Sequence, residues 1–227
     1  MGKAIEEIAV SLGHSVVLKI DHQNIHELNT QTLSRADVAI EFTGAESALA
    51  NIKMCVDAQI PVVSGSTGWL DQFDNAKKYC NDKQGTFLYA SNFSIGVNIF
   101  FEVNIKLANL MARRSEYAVS IKEIHHTQKK DVPSGTAISL AEQVISEIAS
   151  KSKWSLTNDN EHTINITAER VDPAAGTHHV KYESAIDDIE IIHTAHNRKG
   201  FASGALAAAE FIVNKKGTYS MKDVLGL

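Results

Sequence analysis

The sequence predicts an α/β protein built from two domains. In the first 93 residues, short β-branched strands alternate with helices, which is typical of a parallel sheet with right-handed crossovers. From residue 94 a long helix and several strands joined by short turns indicate an α+β domain with a mixed sheet. An apolar helix then returns over 204–216. We therefore predict one domain over 1–93 and 204–227, and a second over 94–203.

The first domain is predicted to alternate helices and strands. Ile5, Ile8 and Leu12 lie at helical spacing, and Gly13 follows as a stop. A short strand that is buried on both faces comes next. The predicted elements are helices at 3–12, 43–60 and about 70–82, and strands at 15–21, 36–42, 61–65 and 86–90. This order makes the first 93 residues a Rossmann-like unit.

The second domain is predicted to contain two helices and four strands. The helices cover 96–114 and about 134–150, and the strands cover 117–126, 164–171, 178–186 and 189–197. The polar stretch 151–162 is predicted to be a surface loop. Its mixed sheet offers a surface for self-association.

Composition excludes several classes of protein. The 227 residues are 44% hydrophobic and carry a formal net charge of −5, so no basic excess is present to hold nucleic acid or a membrane surface. No apolar run approaches the ~20 residues that span a bilayer, and the N-terminus lacks the order of a secretory signal. Cys55 and Cys80 lack metal-ligand spacing and are predicted to be buried small hydrophobes in a reducing compartment. The predicted location is cytoplasmic.

The N-terminal residues fit part of a dinucleotide-binding fingerprint. That fingerprint has a strand, G-x-G-x-x-G, a helix, and a second strand that ends in an acid about 20 residues on. Gly2 opens the first helix and Asp21 ends the next predicted strand, so Gly2 would be the last fingerprint glycine. The first strand and the earlier glycines are missing, so we expect a natural chain that starts upstream of Met1, or poor cofactor binding. Taken alone, Asp21 also fits a simple turn or helix cap.

The segment 123–137, E-I-H-H-T-Q-K-K-D-V-P-S-G-T-A, is the most informative in the chain. A strand brings His125, His126 and then Lys129 into a loop that ends at a helix N-terminus, where Ser134 is a good N-cap. The first amides of such a helix lack intrahelical partners, and Gly135 allows a ligand to approach closely. The pattern predicts a site for a small anion beside groups that can transfer protons.

Two other interpretations of this segment are open. His125 and His126 could be metal ligands, but neighbouring strand residues face opposite sides of a sheet, so we predict no metal. The Ser134–Thr136 stretch could be a helix cap without a ligand. His125 and Lys129 would stand about 13 Å apart in an extended chain, so the chain must bend after His126 for both to reach one ligand.

The same segment resembles the signature of the 4-hydroxy-tetrahydrodipicolinate reductase (dihydrodipicolinate reductase) family, E-x-H-H-x-x-K-x-D-x-P-S-G-T-A, at every fixed position. The resemblance extends over nearly the whole chain. Gly65-Ser66-Thr67-Gly68 resembles the family's G-T-T-G loop, and 90–98 its A-x-N-F-S-x-G-V-N stretch. A C-terminal H-x(4)-R-x-x-F-A-x-G pattern is matched by His193, Arg198, Phe201, Ala202 and Gly204. The nucleotide loop is the departure, and it puts cofactor binding in doubt.

The resemblance implies NADH- or NADPH-dependent reduction of 4-hydroxy-tetrahydrodipicolinate in lysine and diaminopimelate biosynthesis, by a homotetramer assembled through the mixed sheet. It implies that His125 donates and accepts the proton and that Lys129 is a proton donor. The implied substrate-binding residues are His126, Ser134, Gly135 and Thr136. The implied cofactor-binding residues are Met1, Gly2, Asp21, Gly65, Ser66, Thr67, Ala90, Ser91, Asn92 and Phe93. Asp21 would favour NADH because a carboxylate repels a 2′-phosphate, although His22 leaves NADPH open.

Two alternative functions are open. A homoserine or sugar dehydrogenase of similar layout would explain the Rossmann-like half, but not the segment from the paired histidines to Ser134. A degenerate paralogue that binds an anion without a cofactor would explain the missing glycine loop.

Overall fold

A computed structural model of the chain describes residues 1–157, 160–197 and 199–227. The chain divides into two compact units, Met1–Ile95 with Lys199–Leu227, and Gly96–Arg198. The elements in chain order are α1 (Gly2–Ser11), α2 (Thr30–Leu33), β1 (Ala39–Glu41), α3 (Ala45–Asp57), β2 (Val62–Ser64), α4 (Phe73–Asp82), β3 (Thr86–Tyr89), α5 (Ile95–Met111), β4 (Ala118–His125), α6 (Gly135–Glu147), β5 (Lys153–Ser155), β6 (Thr163–Arg170), β7 (Gly176–Glu183), β8 (Asp188–Ala195), α7 (Lys199–Ile212), β9 (Gly217–Tyr219) and α8 (Met221–Leu225).

The first unit contains a parallel sheet of four strands in the order β1-β2-β3-β9. The two inner strands, β2 and β3, are buried because helices cover both faces of the sheet. One core contains Val62 and Phe87 with residues of α3 and α4, and the other contains Val63 and Leu88 with residues of α1 and α7. Alternating β-branched strands and amphipathic helices produce this arrangement, and the predicted Rossmann-like fold is confirmed.

The predicted strand over 15–21 is wrong. These residues form neither helix nor strand, and Val16 and Val17 are 40% and 37% exposed where burial on both faces was predicted. A strand persists only where a neighbour pairs with its N–H and C=O groups, and none of the described strands lies beside this segment. An apolar β-branched run is therefore insufficient to define a strand here.

The second unit contains a mixed sheet of five strands in the order β5-β6-β4-β7-β8, as the predicted fold class requires. The central strand β4 runs parallel to β6 and antiparallel to β7. Its alternating burial directs one face toward a core that α5 and α6 complete, which contains Ile121, Leu140 and Ile166. The segment 123–137 therefore begins on a central strand of this sheet, which is paired with a neighbouring strand on each side.

Other differences from the prediction involve short elements. The stretch 151–162 contains β5, which pairs with the start of β6, so the predicted loop is wrong over three residues. The helix predicted at 204–216 begins at Lys199 and ends at Ile212. β9 and α8 follow it and were not predicted, because elements of three and five residues are too short to show a periodic pattern.

Cys55 and Cys80 are buried and form no disulfide, which confirms their predicted burial. Burial raises the pKa of the Cys55 thiol to about 12, so this thiol is inert in the folded unit. Within the described ranges, no helix combines the length and hydrophobicity that a bilayer crossing requires.

Candidate active site

The signature segment begins on β4, where Glu123 and His125 share the buried face because they are two residues apart. The strand register places His178 of β7 opposite Glu123 and Arg170 of β6 opposite His125. Four polar side chains from three adjacent strands therefore meet at one end of an otherwise apolar sheet face.

Two imidazoles contact each other in this cluster. His125 Nε2 lies 3.3 Å from His178 Nε2, and His178 Nε2 lies 3.1 Å from the Ser134 hydroxyl oxygen. Burial and, as the second cause, the nearby His125 together lower the pKa of His178 to about 3. Burial also lowers the pKa of His125, although the Glu123 carboxylate opposes that shift. A hydrogen bond between the two Nε2 atoms requires that one of them carries a proton and the other does not.

The ring of His125 lies against the backbone of Gly176 at the start of β7. A Cβ atom at Gly176 would lie 2.9 Å from His125 Cε1 and 3.2 Å from Nδ1. Since Cβ contacts under 3.0 Å are essentially never tolerated, only glycine leaves room for this imidazole. Sequence reasoning did not identify Gly176 because the contact joins residues 51 positions apart.

Glu123 is completely buried and is the acceptor for two different elements. Its Oε1 accepts from Arg170 Nη2 at 3.0 Å, and its Oε2 accepts from the backbone N–H of Ser134 at 2.9 Å. The same Oε2 lies 3.8 Å from His125 Nε2 and 3.9 Å from His178 Nε2. The sequence could have shown this acid as unusual, because it interrupts the apolar alternation of β4.

The chain turns after β4, as predicted for Lys129 to approach the same ligand as His125. The Lys129 N–H donates to the His126 carbonyl at 3.1 Å, which closes a turn. Lys129 Nζ donates to both carboxylate oxygens of Asp131, at 2.9 and 2.7 Å. His126 follows the buried His125 and is partly exposed.

The loop ends at the N-terminus of α6, where Ser134 is the N-cap as predicted. Its hydroxyl accepts from the Ala137 N–H at 3.2 Å, so that amide is already bonded and does not belong to the anion site. Gly135 is exposed, and a Cβ atom there would meet nothing within 4 Å. Gly135 and Thr136 therefore form the accessible first turn of the helix, where backbone dipoles favour negative charge.

One group of possible metal ligands is found among the described residues. Ligand atoms of Glu123, His125 and His178 lie within 4.8 Å of one another, so His125 is grouped with His178 and not with His126. Arg170 already neutralises the carboxylate, and a second cation beside that guanidinium is electrostatically unfavourable. The predicted lack of a metal stays a prediction.

In the first unit, the segments that follow β1, β2 and β3 lie at the carboxyl edge of the parallel sheet, where ligands bind in this fold. They include the predicted residues at 65–67 and 90–93. Thr67 and Ser91 are exposed, whereas Ala90 and Phe93 are buried. The carboxyl edge thus brings two predicted cofactor segments together.

Sequence reasoning missed Glu41 at this edge. The Glu41 carboxylate is buried and accepts from the hydroxyls of Ser64 and Ser66, each at 2.6 Å, from the Thr43 N–H at 2.8 Å and from the Thr43 hydroxyl. The hydrogen bond from the Ser66 hydroxyl to Glu41 therefore orients the loop that follows β2. Gly44, the N-cap of α3, lies beside open space at the same edge.

The N-terminal cofactor candidates are only partly as predicted. Met1 is the N-cap of α1, and the space beside Gly2 is open, so the first turn of this helix is accessible. Asp21 does not end a strand, and its carboxylate accepts from the Gln23 N–H at 2.8 Å in a local turn. Asn92 caps a local turn by accepting from the Ser94 N–H at 2.8 Å. The open space beside Gly2 and Gly44, together with the carboxyl edge of the parallel sheet, leaves room for a dinucleotide to bind.

The C-terminal pattern is divided between the two units. His193 lies on β8 opposite His178, and Ala202 and Gly204 are buried on α7. Arg198 lies outside the residues that the structure describes. A Cβ atom at Gly204 would lie 1.7 Å from the Phe93 carbonyl oxygen, so this glycine is required for packing within the first unit.

A Rossmann-like unit joined to a mixed-sheet unit that carries imidazoles, a lysine and an accessible helix N-terminus defines an oxidoreductase of the two-domain class. Comparison with known proteins gives the family. The profile described as "Dihydrodipicolinate reductase, N-terminus" matches residues 1–93, and the one described as "Dihydrodipicolinate reductase, C-terminus" matches residues 96–225. The chain belongs to the dihydrodipicolinate reductase family.

Relatives agree with this assignment. The 4-hydroxy-tetrahydrodipicolinate reductase of Christiangramia forsetii is 49% identical over 226 residues, which are 99% of this chain and 93% of the relative. That of Syntrophus aciditrophicus is 34% identical over 86% of this chain and 75% of the relative. The chain is an oxidoreductase of lysine and diaminopimelate biosynthesis, and a homoserine or sugar dehydrogenase does not account for these matches.

Solved structures support the fold. Dipicolinate-bound dihydrodipicolinate reductase from Paenisporosarcina sp. TG-14 superposes with a TM-score of 0.75 at 21% identity, over 96% of this chain and 92% of that one. An amine dehydrogenase from Mycobacterium smegmatis gives a TM-score of 0.60 at 10% identity, over 97% and 92% of the two chains.

Proposed function

We propose that this chain reduces 4-hydroxy-tetrahydrodipicolinate to tetrahydrodipicolinate with NADH or NADPH. A hydride and a proton enter the substrate, and its hydroxyl leaves as water. The main support is that the segment 123–137 places a buried imidazole, a lysine and an accessible helix N-terminus in one part of the second unit. The dipicolinate in the structure of the relative from Paenisporosarcina is a diacid of the same class as the proposed substrate.

We assign binding of the substrate carboxylates to His126, Ser134, Gly135 and Thr136. The helix end contributes partial positive charge and backbone donors, and Gly135 leaves room for close approach. Ser134 acts through its position as N-cap, since its hydroxyl is already bonded to the Ala137 amide. The ammonium group of Lys129 would add a charge-assisted hydrogen bond to a substrate carboxylate at this site.

We assign proton transfer to His125 and Lys129. Burial lowers the pKa of His125 in the unliganded protein, and the negative charge of a bound diacid opposes that shift. A bound diacid therefore favours the protonated imidazole, which can donate its proton to the substrate and recover it afterwards. Lys129 is held by Asp131 until substrate carboxylates compete for its ammonium group.

We assign the nucleotide to the unit Met1–Ile95 with Lys199–Leu227. The nicotinamide, when bound, supplies the hydride. Residues 65–67 and 90–93 at the carboxyl edge would line its nicotinamide half, with the Ser66 loop held by Glu41. Met1, Gly2 and Asp21 would hold the adenosine half, and the exposed Asp21 carboxylate disfavours a 2′-phosphate. We therefore expect NADH to be preferred.

Turnover followed by nucleotide absorbance tests this function. The purified chain should oxidise NADH with 4-hydroxy-tetrahydrodipicolinate and not with homoserine. Asp21→Ala should narrow the preference for NADH over NADPH, and an unchanged ratio would contradict the role of Asp21. Binding of dipicolinate without any turnover would show instead the anion-binding paralogue described above.

We also propose that the mixed sheet mediates assembly into a homotetramer and that the protein is cytoplasmic. On β8, Ile192 is 53% exposed on the face of the sheet opposite to Ile191, which packs against the core, and Ile186 in the preceding turn is 89% exposed. Exposed isoleucines are typical of an assembly surface. Light scattering should give four chains for the wild type and fewer for Ile192→Glu. Two buried thiols that form no disulfide agree with a reducing compartment.

A further inference from the structure

We propose that Glu123 and Arg170 form a positioning pair that holds the Lys129 loop and the first turn of α6 in place for substrate binding. The proposed function assigns neither residue to proton transfer or to substrate binding. The kinetic test of this inference rests on the proposed function, whereas the hydrogen-exchange test does not.

Glu123 connects the strand to the helix end. It is completely buried on β4, and its Oε2 accepts from the N–H of Ser134, the N-cap residue of α6. The Ser134 hydroxyl in turn accepts from the Ala137 N–H. A single carboxylate oxygen thereby fixes where the helix begins, and with it the position of the accessible Gly135.

Arg170 connects the neighbouring strand to the loop. Its Nε donates to the Lys129 carbonyl at 3.3 Å, and its Nη2 donates both to the Asp131 carbonyl at 2.7 Å and to Glu123 Oε1 at 3.0 Å. The backbone of Lys129 is thus held on one side by Arg170, while its side chain is held by Asp131. The planar guanidinium suits this task because its donors lie in a fixed fork.

A second ion pair between the same strands provides a matched control. Lys122 of β4 and Glu169 of β6 form a 2.8 Å pair, and each side chain is 42% exposed on the opposite side of the sheet from Glu123. Both pairs link β4 to β6. The Glu123–Arg170 pair additionally binds the loop and the helix cap, which a function limited to sheet stability would not require.

The experiment compares the double variant Glu123→Gln/Arg170→Met with Lys122→Met/Glu169→Gln. The first variant removes the buried Glu123 charge and its partly buried Arg170 partner together, so that neither charge is left unpaired, and circular dichroism checks that the variant is folded. Hydrogen exchange is measured at the Thr127 and Lys129 amides, which bond to Asp172 and His126 and not to the altered side chains. Calorimetric affinity for dipicolinate and the kinetic constants are measured on the same samples.

For the Glu123/Arg170 variant we expect exchange at these two amides to accelerate at least tenfold, while the central β4 amides keep their protection. Dipicolinate affinity should fall about tenfold, KM should rise by a similar factor, and the control variant should match the wild type in all readouts. Unchanged loop exchange in the folded variant would overturn the inference, as would wild-type affinity and kinetics. If the wild type itself has no turnover, the proposed function fails while exchange and affinity still decide this inference.

Discussion

Acidification from pH 7 to pH 5 is expected to remove about 2 kcal/mol from the free energy of unfolding through His178 alone. The side chain is 4% exposed, and its Nδ1 has no hydrogen-bond partner among the described residues. Burial, with the nearby His125 as the next cause, lowers its pKa from 6.5 to about 3 in the folded chain. Unfolding returns the imidazole to water and to its ordinary pKa.

The sign follows from proton uptake. Between about pH 6.5 and pH 3 the unfolded chain binds a proton at His178 that the folded chain does not, so stability falls as the pH falls. At pH 5 the difference covers about 1.5 pH units at 1.36 kcal/mol each. Above about pH 6.5 His178 is neutral in both the folded and the unfolded chain, so its contribution to the free energy of unfolding no longer changes with pH.

Urea unfolding of the wild type and of His178→Gln at pH 7 and pH 5 measures this effect. The glutamine retains a polar group of similar length but does not titrate, so its loss of stability between the two pH values should be about 2 kcal/mol smaller. Because His125 contacts His178, the same pair of measurements is repeated in a His125→Gln background, where the titration of His125 is absent. An identical pH dependence in the two proteins would refute the argument from burial.

Three further substitutions test the site and the packing. Lys129→Ala should lower kcat/KM by about 100-fold in steady-state assays with little change in the unfolding midpoint, since a positioned proton donor contributes about this much; a loss below threefold would contradict its role. Gly176→Ala places a methyl group 2.9 Å from the His125 ring, so kcat should fall at least about tenfold while circular dichroism stays unchanged. Gly204→Ala places a Cβ atom 1.7 Å from the Phe93 carbonyl oxygen and should cost at least about 2 kcal/mol in urea unfolding.

The local parts of the site could be predicted from the sequence. The strand that ends at His125, the turn that follows and the Ser134 cap are encoded by contiguous residues with defined preferences, and the structure has all three. The partners of these residues could not be predicted in the same way. His178 and Arg170 reach β4 only through the register of three strands that are distant in sequence.

The first unit shows the same limit. Residues 15–21 have the composition of a strand, but a strand depends on a neighbour that local composition does not specify. Glu41 gave a usable signal, because an acid at the end of an apolar strand must find donors. Its donors, Ser64 and Ser66, lie one strand away and could be identified only once β1 and β2 were paired.

Both cysteines of the chain lie in the first unit, and neither is accessible in the folded protein. A thiol-reactive chromophore added in mild denaturant would therefore record the opening of the nucleotide-binding half and would be silent on the half that carries the imidazoles. Paired with tryptophan fluorescence from Trp154 in the other half, it would show whether the two halves unfold together, once Trp69 is replaced by phenylalanine. The two natural cysteines can thus report the rate at which one half of the molecule opens.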